Sequence, residues 1–498
     1  MEHISLLLVV IPLIAAPLVA ILPNGRLPWL VTTLVTVICA ILASTQLWGI
    51  LHEGMISYEL GGWAPPWGIE YRIDTVNAFV ALIVAGIAAA TLPYALLSVE
   101  KEIPKNQISL FYCAFLLCLC GLLGITQTGD IFNVFVFLEV SSLSSYALIS
   151  MGKNRQALTA AYQYLIMGTI GATFFLIGVG LIYSQTGTLN MADLAERLPA
   201  VFERRTVHTG FAFIVIGIAL KLALFPLHLW LPNAYTYAPS VITIFLAATA
   251  TKVAVYLMLR MLFTVFPDGF ALGTPIYGLF ILLGFAGIIG ASIYAIYQID
   301  VKRLLAYSSV AQIGYMVLGM GLASATGITA TILHLFNHAL MKGALFMAVG
   351  AIIYRMGSCR IDNIQGLGRQ MPWTFAAIII GGFSLVGIPG TAGFISKWYL
   401  VLAALEQHNW IAVAVILFGS LLAVVYVGKM IEALYFKPAI ESNLSVKEAP
   451  LLLVVPTLML AIANIYFGLN TDLTVGVAET AVQMLGLTTE SVAGAVSP

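Results

Sequence analysis

"DIFNVFVFLEVSSLSSYALIS", residues 130–150, is long enough to cross a bilayer and carries one carboxylate, Glu139, near its middle. A charge at that depth costs about 2.5–3.5 kcal/mol on insertion scales. Either the segment is not in a membrane, or the charge has work to do there. The neighbouring sequence decides the first point. Apolar runs of 18 or more residues recur from one end of the chain to the other, the signature of a polytopic membrane protein. Of 498 residues, 61% are hydrophobic and 9% charged, against about 25% charged in a soluble domain. The mean hydropathy is +1.00. Backbone groups in hydrocarbon must pair internally, which leaves helices or a closed barrel. The runs are long and continuous, without the alternation of barrel strands, so the fold class is an all-α polytopic membrane bundle.

Fourteen spans are expected, near 4–22, 28–51, 74–98, 107–127, 130–150, 158–185, 209–230, 239–262, 274–298, 303–324, 327–354, 372–404, 409–435 and 449–470. The N-terminal run lacks a basic n-region and a small-residue cleavage site, and reads as a retained first span. The segment after span 14 is short and polar-spotted, which fits a small surface helix or a loose tail. Links after odd-numbered spans hold twelve Lys and Arg residues, and links after even-numbered spans, with the end of span 8, hold five. The positive-inside rule then turns the first set to the cytoplasm and both termini outward.

Spans 7 and 12 contain breakers, Pro226 and the Pro389 between glycines. Proline removes a backbone donor and clashes with the preceding turn, so both helices should be interrupted at membrane depth. A pair of discontinuous helices, one in each half, is the pattern of transporters built from repeats. The match is loose: Lys221 precedes its proline, whereas Lys397 follows its own.

The deep charges bear on function. Besides Glu139 they are Lys221 in span 7, Lys252 in span 8, His334, His338 and Lys342 in span 11, and Lys397 in span 12. Positions 334, 338 and 342 share one helix face and extend about 12 Å along it. Histidine titrates near neutral pH, so such a stripe can pass protons if water joins its members. A single buried Glu–Lys pair can merely hold two helices together. A set of titratable groups spread over five spans is costlier, and intramembrane ionisable residues are by default candidates for ion or proton pathways. His228, two residues past Pro226, reads equally as a structural or an accessory histidine. Lys429 and Arg260 lie nearer span ends and are expected to snorkel. Glu139 is the one acid among the deep groups, and Asp74 and Asp130 sit at span ends. A sodium cage would want several oxygen ligands, so the pattern suits protons better. The five cysteines have no metal or disulfide spacing, no Gly-rich phosphate loop follows a strand, and no basic block suits nucleic acid. No cofactor is expected.

The segments "KLALFPLHLWLPNAYTYAPS" (221–240), "DVKRLLAYSSVAQIGYMVLGMGL" (300–322), "LHLFNHALMKGALFMAVG" (333–350) and "GIPGTAGFISKW" (387–398) resemble the hallmarks of one family. It comprises the antiporter-like membrane subunits of respiratory complex I, of membrane-bound hydrogenases and of multisubunit Mrp-type Na⁺/H⁺ antiporters. The likeness runs over roughly spans 3 to 13. "FNVFVFLEVSSLSSYALIS" and "TKVAVYLMLR", with the chain length, are most similar to the D-type subunit of the Mrp antiporters.

The resemblance implies fourteen helices with two inverted five-helix repeats, spans 4–8 and 9–13. The chain then divides into 1–106, 107–262, 274–437 and 449–498. It implies that Glu139 pairs with Lys221, that Lys252 links onward, that His334, His338 and Lys342 form a central relay, and that Lys397 is the lysine of span 12. It implies proton movement coupled to Na⁺ efflux in the cell membrane of a prokaryote. The partners would be the large A-type subunit of such an antiporter and its small membrane subunits. The alternative is a proton-pumping subunit of complex I or of a membrane-bound hydrogenase. An inactive scaffold is a third class. Asn233, where many relatives have Asp, and the absence of a second proline in "APSVITIF" depart from the family pattern.

Overall fold

The structure, a computed structural model, describes residues 3–266, 275–440 and 443–487. The expected first residue of span 9 and of the third division (274), part of the 436–448 link and residues 488–498 of the tail lie outside the described residues.

The chain runs through α1 (Ile4–Ala20), α2 (Arg26–Glu53), a hairpin of β1 (Ile56–Glu59) and β2 (Glu70–Ile73), α3 (Thr75–Glu102), α4 (Ile108–Gln127), α5 (Ile131–Ser150) and α6 (Arg155–Thr186). The short α7 (Met191–Arg197) leads to α8 (Arg205–Leu222), α9 (Trp230–Tyr237), α10 (Ser240–Ala248) and α11 (Ala250–Arg260). Then come α12 (Ile276–Ile296), α13 (Val301–Gly321), α14 (Ala325–Met356), α15 (Pro372–Val386), α16 (Ala392–Glu406), α17 (Trp410–Ile431), α18 (Leu451–Leu469) and α19 (Asp472–Met484). Twelve helices among the described residues are long and apolar enough to cross a membrane. The other two expected spans fall short of that length: α1 has 17 residues, and span 12 is split into α15 and α16 of 15 residues each. The count of fourteen is therefore not reached by length and composition.

Polar side chains fix where helices begin. Asp74 opens α3 with a capping box, its carboxylate accepting from the Val76 and Asn77 amides while Asn77 accepts from the Asp74 amide. Asp130, Asn154, Asp300 and Ser324 cap α5, α6, α13 and α14 in the same sense. The link 52–73 is not plain coil. β1 and β2 pair antiparallel from Ile56–Ile73 to Glu59–Glu70. Glu70 is pinned on both oxygens, by the Ser57 hydroxyl at 2.7 Å and the Asn190 amide at 2.8 Å.

Both proline-marked spans are broken. Between α8 and α9 the chain leaves helical geometry at Ala223 (φ 58°), and Pro226 and His228 lie in the interruption. Between α15 and α16 the break runs from Gly387 (φ 88°) to Gly390 (φ 86°), left-handed positions that suit glycine. Span 8 is interrupted too, at Thr249 (φ −128°, ψ −58°) between α10 and α11, with neither proline nor glycine to announce it.

Glycine lets backbones meet closely in the bundle. A β-carbon on Gly171 or Gly178 would strike α8, and one on Gly314 would strike α12. At the centre stands α14, packed by α3, α10, α11, α13, α15, α16, α18 and α19. The tail segment α19 lies against α14 and α3, burying Val477, Ala478, Ala481 and Val482.

A carboxylate from the 437–450 link anchors the broken span 12. Glu448 accepts from the Trp373 amide at 2.8 Å and from the Thr374 hydroxyl at 2.7 Å, at the start of α15. Its carbonyl accepts from Arg355 at the end of α14. Glu448→Ala is expected to cost about 1 kcal/mol, the usual value of a helix N-terminal cap. The thermal midpoint of the solubilised protein should fall accordingly.

Candidate functional site

Lys221 closes α8 just before the break and turns into the bundle. Its Nζ donates to the Ser142 hydroxyl at 2.7 Å and stands 3.5 Å from the Tyr146 hydroxyl. Ser142 and Tyr146 lie three and seven residues beyond Glu139, on the same face of α5. Glu139 is half-buried, and its Oε1 is shielded from solvent without a hydrogen-bond partner. Among the described residues no ion pair within 4 Å joins Glu139 to Lys221; the two ion pairs are Arg197–Asp193 and Arg260–Asp74. The expected direct pairing is thus corrected. The serine and tyrosine hydroxyls hold the ammonium, while Glu139 acts on Lys221 through space.

Gly168 of α6 makes room for this arrangement. A β-carbon there would lie 1.9 Å from the Tyr146 hydroxyl and 3.4 Å from Lys221 Nζ. Gly168→Ala is expected to push Tyr146 off Lys221 and to lower the thermal midpoint of the solubilised protein. Gly180→Ala, with open space around its β-carbon, serves as the control.

A cavity of 30 Å³ adjoins Lys221, lined by Ser141, Ser142, Ser145, Tyr164, Ala250 and Val253 among others. That is room for one or two waters. Ala250 and Val253 flank Lys252, so the cavity leads from α8 toward α11. Lys252 is 0% exposed. The interruption at Thr249 frees a carbonyl, and Lys252 Nζ donates to that of Ala247, with the Thr251 hydroxyl 3.5 Å away. Lys252 lies within electrostatic range of His334, His338 and Lys342.

The stripe on α14 follows. Lys342 donates to the Leu305 carbonyl at 2.8 Å and to the Ser308 hydroxyl at 2.5 Å, both on α13. His338 is buried with neither ring nitrogen partnered. Its ring lies parallel to that of His334, centroids 6.0 Å apart. His334 bonds through Nε2 to Gln312 at 2.9 Å and through Nδ1 to Ser396 at 2.8 Å. Ser396 immediately precedes Lys397. Lys397 Nζ turns back into the break of span 12, donating to the carbonyls of Leu385 and Val386 at 2.8 and 3.0 Å and to Ser420 at 3.1 Å. It sits 4.6 Å from the Tyr315 ring, and His334 packs on the same ring. The two proline-marked spans therefore present one buried lysine each.

His228 stays apart from this line. It is buried in the span 7 break, stacked on Phe225 and near Tyr307, with Nδ1 unpartnered. Arg260 does not snorkel. It is buried and bonded to Asp74, which brings the start of α3 to the end of α11. Lys429 reaches the carbonyls of Ile296 and Gln298 at the end of α12. Among the described residues no group of three His, Cys, Asp or Glu side chains is placed to hold a metal ion. At the Glu102 end of α3 an 870 Å³ cleft opens, walled by Lys101, Glu102, Lys302, Arg303, Asp300 and Arg360 among others. Beside it the Cys359 thiol, bonded to Asp300 at 3.3 Å, is pushed up to about 12, chiefly by burial.

Sequence reasoning missed Lys302, which is buried and donates to the Ala238 carbonyl at 2.7 Å. It missed the polar partners Gln312, Ser396 and Ser420 as well. Serines carry little insertion penalty, and a glutamine, though costly to bury, is neutral and does not titrate, so neither stands out beside the deep charges.

Two broken helices, each turning a lysine inward beside a central His/Lys helix, define the antiporter-like class of membrane subunits. The comparisons agree. The chain belongs to the NADH:quinone oxidoreductase/Mrp antiporter transmembrane family, whose description matches residues 128–423. It is 41% identical to NADH-quinone oxidoreductase subunit N of Desulforudis audaxviator, over 94% of this chain and 96% of the relative. It is 34% identical to the D-type subunit of the Na⁺/H⁺ antiporter of Alkalihalophilus pseudofirmus, over 75% of this chain and 74% of the relative. Among solved structures it is similar to a chain of the membrane-bound sulfane sulfur reductase, an archaeal respiratory membrane complex. There the TM-score is 0.90 at 33% identity, covering 99% of both chains.

Proposed function

We propose that this protein moves protons along the buried line Glu139, Lys221, Lys252, His338 with Lys342, His334 and Lys397, within a multisubunit monovalent cation/H⁺ antiporter of a prokaryotic cell membrane. The observation that carries the reading is the placement of Lys252. It is wholly buried beside the helix break at Thr249, on the helix whose Ala250 and Val253 line the Lys221 cavity, and within electrostatic range of His338 and Lys342 on α14. Glu139 favours the charged form of Lys221 by Coulomb attraction, strong where water is scarce. When Glu139 is screened or moves, the Lys221 proton passes through the serine-lined cavity to Lys252, then along the stripe to Lys397. Carbonyls at the breaks of spans 8 and 12 accept from Lys252 and Lys397, as hydroxyls do from Lys221. Sodium would travel on a path shared with, or carried by, other subunits. The two five-helix repeats, both termini outward and a large A-type subunit with small membrane subunits as partners belong to this reading.

A second reading is favoured by the 41% identity to a quinone oxidoreductase subunit and the 33% identity to a sulfane sulfur reductase chain. In it the same proton line is driven by redox subunits rather than by a sodium gradient. Purification of the intact assembly from native membranes separates the two. Co-eluting small antiporter subunits, with sodium-driven proton flux after reconstitution, support the first. Co-eluting iron–sulfur subunits, with flux driven by electron transfer, support the second. An assembly that moves no protons under either drive overturns both.

A further inference from the structure

Arg260 has no part in the line described above, yet it is buried at the end of the helix that carries Lys252. Lys252, Tyr256 and Arg260 fall at i, i+4 and i+8 on one face of α11, spanning about 12 Å. Helical side chains lean toward the N-terminus, and Arg260 reaches back to Tyr256 in this way. Arg260 Nε donates to the Tyr256 hydroxyl at 3.3 Å. Its Nη2 contacts Asp74 at 2.5 Å and Asn77 at 3.2 Å, and its Nη1 reaches Thr264 at 3.4 Å. Asp74 lies at the opposite end of α3 from the Glu102 cleft, 28 residues and about 42 Å away. Just past Arg260 the backbone widens into a π-helical turn, Met261–Val265, a local irregularity common at functional sites.

Capping alone does not require this charge. A neutral Asn or Ser would cap α3 as well as Asp74 does, and a buried ion pair seldom improves on apolar packing. We propose that Tyr256, Arg260 and Asp74 form a gated proton outlet joining Lys252 to the face of the bundle at the start of α3. The inference rests on the proton-line reading above.

The step balances as a relay of one proton. The Lys252 ammonium loses a proton through water to the Tyr256 oxygen. Tyr256 passes its own phenolic proton toward Asp74. The carboxylic acid so formed releases it to water on that face. Lys252 is left as a neutral amine, and Tyr256 and Asp74 end as they began. Arg260 remains a cation throughout. It is a positioning residue: while its guanidinium occupies the Asp74 carboxylate, the outlet is shut.

A pair that merely fastens α3 to α11 would give different results in three variants, measured as proton flux in vesicles holding the whole complex. Tyr256→Phe keeps the ion pair and the cap and loses one hydrogen bond from Arg260; we expect flux to fall at least fivefold in a complex that still assembles. Asp74→Asn keeps the cap and should lose flux similarly. Arg260→Gln should leak protons without the driving ion or electron donor. Wild-type flux in Tyr256→Phe overturns the outlet, as does a tight Arg260→Gln complex of normal assembly. If Arg260→Gln fails to assemble, the Tyr256→Phe result decides. Glu139→Gln separates the two claims. Lost flux there beside wild-type flux in Tyr256→Phe rejects the outlet alone. Wild-type flux in both rejects the line and the outlet together.

Discussion

Glu139→Gln removes most proton movement while breaking no hydrogen bond and opening no cavity. That is the expected result, and both halves follow from the geometry. Among the described residues the carboxylate accepts from no side chain or amide, and its buried Oε1 is unpartnered. Glutamine keeps its size, so no hydrogen bond is lost and no cavity opens. What disappears is the one negative charge acting on Lys221, whose Nζ is otherwise held by neutral hydroxyls at 2.7 and 3.5 Å. Without it the cost of keeping an ammonium out of water is no longer offset by Coulomb attraction. Flux measured by a fluorescent pH probe in everted vesicles should fall at least tenfold, a barrier change of about 1.4 kcal/mol. Glu139→Asp should keep a measurable part, because charge survives although the side chain is shorter. Unchanged flux in an assembled Glu139→Gln complex would remove this residue from the mechanism.

The sequence made the bundle readable because its signals are large. A twenty-residue apolar run admits few alternatives in lipid, and Pro226 and Pro389 each mark a break. The deep charges were equally visible, since every Lys, Glu or His in such a run stands out by its cost. Other features left no such mark. The break at Thr249 lies in "AATATK", where tertiary packing and the Lys252 bond to Ala247 decide the backbone, not a breaker residue. The hairpin in 52–73 depends on Asn190, more than a hundred residues away, closing on Glu70. Arg260 was misread because distance from a span's end sets whether a side chain can reach water, not whether it does. Asp74 offers a nearer and stronger partner. The Glu139–Lys221 relation shows the opposite error. Two residues that belong to one electrostatic unit need not touch when Ser142 and Tyr146 stand between them.

Lys252→Met should produce the second large effect, and here function and stability should move in opposite directions. Lys252 is fully buried, and among the described residues its amine bonds one carbonyl and one distant hydroxyl and no carboxylate. Ordinary folding economy does not keep such a group. Replacing a poorly paired buried charge by an apolar side chain of similar volume is often neutral or stabilising. Methionine leaves the Ala247 carbonyl without its donor, a penalty of about 1–3 kcal/mol. It also spares the desolvation of an ammonium, so the thermal midpoint should hold or rise. Flux, by contrast, should fall at least tenfold. The serine-lined cavity is bounded on the α11 side by Ala250, Val253 and Ala254, and Lys252 of the same helix is within electrostatic range of His338 on the α14 stripe. Without its amine a proton would have to cross a stretch walled by apolar side chains. Lys252→Arg should not rescue, because a guanidinium holds its proton too firmly to pass it on. That failure distinguishes a residue that exchanges protons from one that supplies fixed positive charge. If Lys252→Arg were as active as the wild type, Lys252 would be an electrostatic element, and protons would have to cross from α8 to α14 by another way.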